Sequence, residues 1–176
     1  EVDNALFLVE RTVLPAVAEF YQAFDAELAC AYPNATRRRA FLTLASWMGG
    51  DRDGHPFVTP AVSVETLARH RRLALAHYSR ECDALIGELT HARPGAPPAE
   101  PFQPGEVFRS RLLGLREGLR SPRADPASFL RELEAIQGEL RELGSWRSAS
   151  GRLARLIHQV RALGFHLAQL DFRDHS

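Results

Sequence analysis

One segment of this chain, residues 46–60, cannot continue a helix, and it limits what the rest can fold into. It reads Ser-Trp-Met-Gly-Gly-Asp-Arg-Asp-Gly-His-Pro-Phe-Val-Thr-Pro and combines three glycines, two prolines and a tryptophan with charged side chains. Glycine and proline are the residues least compatible with a helix interior. The flanking segments have the apolar spacing of amphipathic helices. We interpret residues 46–60 as an ordered functional loop or an elaborate corner between helices.

The glycines of this loop allow close approach. Gly49, Gly50 and Gly54 can adopt positive φ, so that the backbone can approach other backbone or a ligand. Trp47 and Met48 supply an apolar wall beside them. The loop is therefore suited to a small ligand with an apolar part.

The charged residues of the loop suggest an anion site. Arg52 lies between Asp51 and Asp53. The two aspartates could hold its guanidinium in place while the remaining N–H groups of this planar fork bind a phosphate or carboxylate. The same run is typical of an ion-pair network that pins two helices, and the residues alone leave both interpretations open. A calcium loop is excluded, because Pro56 and Val62 occupy the positions of its glycine and its bidentate glutamate. A lysine-containing phosphate loop is excluded because the chain has no lysine.

Apolar spacing predicts an all-α fold, a bundle of five or six helices around one core. The predicted helices are Val2–Cys30, Pro60–Thr90, Glu106–Arg120, Pro126–Leu143 and Gly151–Leu163. Pro15 is expected to kink or interrupt the first helix. The stripes expected to be buried in the first two helices are Leu6, Val9, Val13, Val17, Phe20, Phe24 and Leu28, and Val64, Leu67, Ala74, Tyr78, Cys82, Leu85 and Leu89.

Local signals set the ends of these helices. Thr59 and Asp125 are predicted N-caps because a proline follows each of them at the first helical position. Gly144 and Gly164 are well placed as helix terminators. The proline-rich segment 93–105 is predicted to be an extended connection between helices. We therefore expect one helical domain over residues 1–176.

The pattern changes after Gly164. Residues 165–173 alternate with period two, which predicts a short C-terminal strand. Arg173 at its end could present an anion contact. Alternatively, Asp171 and Arg173 pair with neighbouring elements.

Composition excludes several classes of function. The 22 acidic and 22 basic side chains of the 176 residues balance, which removes the electrostatic case for nucleic acid or an anionic membrane as a main partner. No apolar run approaches the roughly 20 residues of a membrane span. Cys30 and Cys82 are isolated, as expected in a reducing cytoplasm, and the histidines lack the spacing of a zinc helix. Since the chain starts at Glu1 without methionine, we expect a piece of a larger protein.

Two motifs carry a resemblance to a known family. Residues 46–56 resemble a loop of phosphoenolpyruvate carboxylases, which usually have Asn where this chain has His55, and Val58-Thr59-Pro60 continues the match. The closing segment 163–176, Leu-Gly-Phe-His-Leu-Ala-Gln-Leu-Asp-Phe-Arg-Asp-His-Ser, resembles the segment that enters the barrel of the same family. Phe172 and Asp174 replace the commoner aliphatic residue and Gln. The resemblance covers essentially the whole chain.

The resemblance implies a part of a large cytoplasmic enzyme. Phosphoenolpyruvate carboxylases are carbon-carbon lyases, mostly helical and usually homotetrameric, and the C-terminal strand would join their barrel. With Mg²⁺ or Mn²⁺ they convert phosphoenolpyruvate and bicarbonate to oxaloacetate and phosphate. By the same resemblance the metal ligands, the catalytic histidine and an arginine-rich loop lie outside this chain. We therefore expect the fragment alone to be inactive, with the rest of the parent chain as its partner.

The resemblance also implies roles for single residues. Arg173 would be a catalytic residue that holds the substrate phosphate or the carboxylated intermediate. Trp47 would line the apolar pocket, and Arg52 and Asp53 would be its polar substrate-binding contributors. Gly49, Gly50, Asp51 and Gly54 would support the loop. Two other classes stay open, namely a non-enzymatic helical module from a degenerate relative and a different binder of phosphoenolpyruvate or a sugar phosphate.

Overall fold

The computed structural model of the chain describes residues 2–34, 40–53, 57–89 and 106–173. Gly54, His55, Asp174 and the proline-rich segment 93–105 lie outside these residues. The chain forms two compact units, the first made of Glu1–Ala74 with His158–Ser176 and the second of Leu75–Ile157. The single domain over residues 1–176 stays a prediction.

The described residues are mainly helical, which confirms the predicted fold class. The described part of the chain forms seven α-helices and two short strands. The helices are α1 (Val2–Leu8), α2 (Leu14–Ala31), α3 (Pro60–Glu88), α4 (Val107–Gly118), α5 (Pro126–Glu142), α6 (Trp146–Ser150) and α7 (Arg152–Leu163). The strands are β1 (Ala45–Ser46) and β2 (Gln169–Leu170). Of the described helices, none is long and apolar enough to cross a membrane.

Pro15 interrupts the first helix, as predicted. Proline has no N–H and cannot donate to the carbonyl four residues earlier. Residues 9–13 form a π-helical turn at this point, and the N–H of Leu14 donates to the carbonyl of Val9. A π-turn takes up one more residue than an α-turn, so it rotates the faces of the helix that follows.

The buried face of α2 consequently differs from the predicted stripe. Leu14, Ala18 and Tyr21 are buried, whereas Phe20 and Phe24 are exposed by 42% and 37%. Prediction of these two phenylalanines as core residues was wrong, because spacing was counted through an uninterrupted α-helix. The hydroxyl of Tyr21 accepts hydrogen bonds from the backbone N–H groups of residues 41 and 42, at 3.0 and 2.9 Å. This contact leads the chain from α2 towards β1.

Helix α3 begins as predicted. The N–H of Val62 donates to Thr59 Oγ1 at 3.4 Å, and proline occupies the first helical position. Its C-terminal part buries Ala74, Tyr78, Cys82 and Leu85, and Leu89, which directly follows the helix, is also buried. Val64 is 68% exposed, so the prediction that it is buried was wrong. In the N-terminal part of α3 the positions that face inward carry small polar side chains and a histidine instead of apolar residues.

The second unit contains α4, α5 and α6. The N–H of Ser128 donates to Asp125 Oδ2 at 2.8 Å, which confirms the predicted cap of α5, and Gly144 follows α5 with φ +73°. The apolar stripe of α5 is buried, although Leu143 at its end is 45% exposed. Helix α6 was not predicted, because its five residues are too few to show a period.

The predicted C-terminal strand is much shorter in the structure. Residues 164–168 form a turn, in which Gly164 and Leu167 have φ of +54° and +62°. A residue in this left-handed region cannot belong to a strand. Only Gln169–Leu170 form a strand, and prediction of a strand from residue 165 was wrong. Phe165 and Leu167 are nevertheless buried, as packed residues of the turn.

Candidate functional site

The glycine-rich loop and the C-terminal segment run side by side in the first unit. Strands β1 and β2 pair in parallel, with Ala45 opposite Gln169 and Ser46 opposite Leu170. A parallel bridge between Asp51 and Arg173 extends this pairing. In it the N–H of Arg52 donates to the carbonyl of Arg173 at 2.8 Å. Residues 122 positions apart are thereby brought into direct contact.

Two glycines form the corner between the strand and this bridge. Gly49 has φ +86°, a conformation that favours glycine. A Cβ on Gly50 would lie 2.2 Å from the carbonyl oxygen of Asp171, and a Cβ on Gly49 would lie 2.3 Å from Thr66 Oγ1. The N–H of Gly50 donates to the carbonyl of Trp47 and closes the turn at 2.9 Å. Glycine is therefore required at position 50 by the Asp171 backbone, and at position 49 by its positive φ and by the Thr66 side chain.

A polar face of α3 lies under this corner. Ser63 Oγ donates to the carbonyl of Gly49 at 2.6 Å. His70 Nδ1 lies 3.2 Å from the carbonyl oxygen of His166 and donates to it, since a carbonyl can only accept. Ser63, Thr66 and His70 are each no more than 3% exposed. Burial lowers the pKa of His70 below its ordinary value. The loop and the turn before β2 are both tied to one helix.

The sequence reasoning missed this polar face, although a signal for it exists. Residues 63, 66 and 70 continue the spacing of the buried stripe that begins at Ala74. An apolar stripe that turns polar within one helix indicates that the helix packs against backbone carbonyls or N–H groups there. His70, one of the histidines that lack the spacing of a zinc helix, is a packed residue in the structure.

Arg173 lies at the centre of the site. Its Nε and Nη2 donate to Oδ1 and Oδ2 of Asp51 at 3.0 and 3.2 Å, and Asp53 Oδ2 lies 3.4 Å from Nε. The Arg173 Cζ lies 5.7 Å from the centre of the Trp47 ring. The side chain of Arg173 is 51% exposed, so solvent reaches the guanidinium despite these contacts.

Exposed apolar side chains lie in both segments of the site. Trp47 and Met48, predicted to form an apolar wall, are exposed by 61% and 44%. Phe172, which was not predicted as a site residue, is 60% exposed, and the Arg52 guanidinium lies 5.7 Å from the centre of its ring. Alternating aromatic and arginine side chains thus line the edge of the loop. A phosphate or carboxylate with an apolar part matches this arrangement.

The structure brings together four of the predicted site residues, namely Trp47, Asp51, Asp53 and Arg173. Arg52 lies beside Phe172, and Gly54 is outside the described residues. Asp51 and Asp53 contact the Arg173 guanidinium. Because an arginine already occupies their carboxylates, the two aspartates do not form a metal site. Within residues 2–34, 40–53, 57–89 and 106–173, no group of three or more His, Cys, Asp or Glu side chains could hold a metal ion.

Comparisons with known proteins agree with one another. The family model described as phosphoenolpyruvate carboxylase matches residues 1–103 and 117–176. The phosphoenolpyruvate carboxylases of Azoarcus sp. (strain BH72) and Nitrosomonas europaea are 31% and 32% identical to the chain over its full length. That of Thermus thermophilus is 30% identical over 185 residues. The chain spans 22–23% of the length of these relatives.

Proposed function

The chain belongs to the phosphoenolpyruvate carboxylase family, and from that premise we propose that its parent protein converts phosphoenolpyruvate and bicarbonate to oxaloacetate and phosphate. In this proposal Arg173 binds the phosphate or the carboxylated intermediate, and Trp47 lines the apolar side of the pocket. Arg52 and Asp53 are proposed to contribute polar substrate contacts. The observation that supports these roles is the half-exposed Arg173 guanidinium held beside the Trp47 ring.

The proposed chemistry needs a cation next to an apolar wall. Attack of bicarbonate on the phosphoryl group gives carboxyphosphate and the enolate of pyruvate, and the enolate then attacks carbon dioxide released from carboxyphosphate. Arg173 would stabilise negative charge on the transferring phosphoryl oxygens. Trp47 would exclude water from the methylene carbon of the enolate, where a proton would otherwise add and form pyruvate.

The parent enzyme is proposed to use Mg²⁺ or Mn²⁺, as the family resemblance implies. Asp51 and Asp53 already contact Arg173, so they do not fit as its ligands. We propose that residues of the parent chain outside this segment hold the ion. We propose further that the parent is a cytoplasmic homotetramer and that the isolated 176-residue chain is inactive, because it spans less than a quarter of its relatives.

The first experiment measures oxaloacetate formation in the full-length parent and in this chain. Oxaloacetate is followed by malate dehydrogenase and NADH oxidation, with phosphoenolpyruvate, bicarbonate and magnesium present. We expect activity in the parent and none in the isolated chain. Arg173→Ala in the parent should lower kcat/KM for phosphoenolpyruvate by at least about 100-fold, the scale on which lost charge stabilisation acts.

The matched control is Arg147→Ala, since Arg147 lies on α6 and is assigned no role in the site. It should leave kcat/KM unchanged. A folded parent without activity would favour the non-enzymatic helical module. Phosphate binding without carboxylation would favour a different phosphate binder, and an active Arg173→Ala parent would remove Arg173 from the proposal.

A further inference from the structure

We propose that Asp51 is a positioning residue, which turns one particular edge of the Arg173 guanidinium towards the anionic substrate. This inference rests on the proposed function and assigns to Asp51 a role beyond loop support. It arises from the way in which the five N–H groups of Arg173 are divided between partners.

Asp51 occupies the side edge of the guanidinium. One of its carboxylate oxygens accepts from Nε at 3.0 Å and the other from Nη2 at 3.2 Å. These two bonds use two of the five N–H donors of an arginine. The two donors on Nη1 and the second donor on Nη2 remain, and they lie in one plane at the end of the side chain. Among the described residues, Nη1 has no hydrogen-bond partner.

The end edge of a guanidinium is a bidentate fork of the width that suits phosphate and carboxylate. Its direction is set by whatever holds the side edge. With the side edge bound to Asp51, the fork stays available to another anion. Since the Arg173 side chain is 51% exposed, a ligand can reach it.

Two further contacts restrict the guanidinium. The backbones of Asp51 and Arg173 are joined as a parallel bridge, which fixes the distance between the two Cα atoms. The Trp47 ring lies 5.7 Å from Cζ. Backbone, edge and ring contacts together favour one orientation of a side chain that would otherwise sample several rotamers.

Asp53 offers a natural comparison within the same site. Its Oδ2 lies 3.4 Å from Arg173 Nε, so it contributes negative charge at nearly the same place. It forms no bidentate pair with the guanidinium. If Asp51 acted only through its charge, removal of either carboxylate would affect an anionic substrate alike, and both changes would strengthen its binding. If Asp51 acts through orientation, its removal weakens binding more than removal of Asp53 does.

The test uses the full-length parent with the variants Asp51→Ala, Asp51→Asn and Asp53→Asn. The Michaelis constants for phosphoenolpyruvate and for bicarbonate are measured separately. We expect Asp51→Ala to raise KM for phosphoenolpyruvate about tenfold, the effect of one lost charge-assisted hydrogen bond, with KM for bicarbonate unchanged. Asp51→Asn keeps one acceptor oxygen and should give a smaller increase. Asp53→Asn should raise this constant less than Asp51→Asn does, since Asp53 forms no bidentate pair with the Arg173 guanidinium.

A second measurement separates this inference from the proposed function. The dissociation constant of inorganic phosphate is measured by calorimetry on the same folded variants. If the parent forms no oxaloacetate, the proposed function fails, and the same order of variants in phosphate binding still supports the orientation by Asp51. Equal constants for Asp51→Ala and Asp53→Asn in either assay would overturn the inference, and so would a parent that neither binds phosphate nor carboxylates.

Discussion

At the scale of single residues, the first unit buries several polar side chains, namely Ser63, Thr66, His70, His158 and Gln159. His70 is buried beneath the turn that leads to β2, and its Nδ1 donates to the carbonyl of His166. Burial disfavours the charged imidazolium, so the pKa of His70 lies below its ordinary value of 6.5. A neutral buried histidine makes the fold sensitive to acid.

We predict that the free energy of unfolding decreases as the pH falls below 6.5, the ordinary pKa of histidine, because the folded chain keeps His70 neutral. The unfolded chain then takes up a proton that the folded chain does not, so the stability is complete above the unfolded pKa and is lost as the pH falls towards the folded pKa. Urea unfolding of this chain at several pH values from about 7.5 to about 5, the range in which histidine titrates, measures this loss.

His70→Gln is the matched control for this prediction. Its side-chain amide can still donate to the carbonyl of His166 and does not titrate. The difference between the wild-type and His70→Gln free energies of unfolding should therefore change with pH below 6.5, while the other histidines cancel. If the free energies of unfolding of the wild type and of His70→Gln changed with pH in parallel, His70 would titrate alike in the folded and unfolded states.

At the scale of elements, the start of α3 packs directly against the glycine-rich loop. The Ser63 hydroxyl donates to the carbonyl of Gly49, which is itself buried. Thr66 Oγ1 donates back to the carbonyl of Val62 and fills the space where a side chain on Gly49 would lie. The helix thus supports the corner that leads to Asp51.

We predict that Ser63→Ala destabilises the chain by about 1–3 kcal/mol, because it leaves the buried Gly49 carbonyl without its donor. The free energy of unfolding in urea, followed by circular dichroism, measures the effect. Val64→Ala is the control, since Val64 lies next to Ser63 on the same helix and is 68% exposed. Equal losses from the two substitutions would show that the Ser63 hydrogen bond does not support the loop.

At the scale of the whole molecule, the described aromatic side chains of the site lie exposed on the first unit. Trp47 and Phe172 are exposed by 61% and 60% beside Arg173. The chain spans 22–23% of the length of its relatives. We propose that the rest of the parent chain covers these side chains, as the dry pocket needed for enolate chemistry requires.

We predict that Trp47→Ala in the full-length parent changes the product as well as the rate. Loss of the apolar wall admits water to the enolate, so part of the phosphoenolpyruvate should end as pyruvate. The ratio of products is measured with malate dehydrogenase for oxaloacetate and lactate dehydrogenase for pyruvate. We expect kcat/KM for phosphoenolpyruvate to fall about tenfold, the cost of a misplaced contact in a transition state.

Trp146→Ala provides the control for the Trp47 prediction. Trp146 is 62% exposed, nearly the same as Trp47, and lies in the second unit. It should change neither the rate nor the product ratio. If both substitutions, or neither, altered the product ratio, Trp47 would have no special role in excluding water.

The sequence by itself determined most of the helices and the residues that cap or terminate them. The caps at Thr59 and Asp125 and the terminators Gly144 and Gly164 were predicted and are present, because a cap depends on residues within one turn. The period of apolar residues predicted α5 and α7 for the same reason. It misjudged the face of α2, where the π-turn before Pro15 rotates the helix, and the extent of β2, where Leu167 adopts a left-handed conformation.

Only the tertiary structure decided what the charged loop residues contact. From the sequence, Asp51 and Asp53 were considered as partners of Arg52 between them. The structure places both against Arg173, 122 positions beyond Asp51 in the chain. No local pattern encodes that contact, because it depends on the parallel register of β1 and β2 and on the close approach of Gly50 to the carbonyl of Asp171. Registers between distant strands arise from packing of the whole first unit.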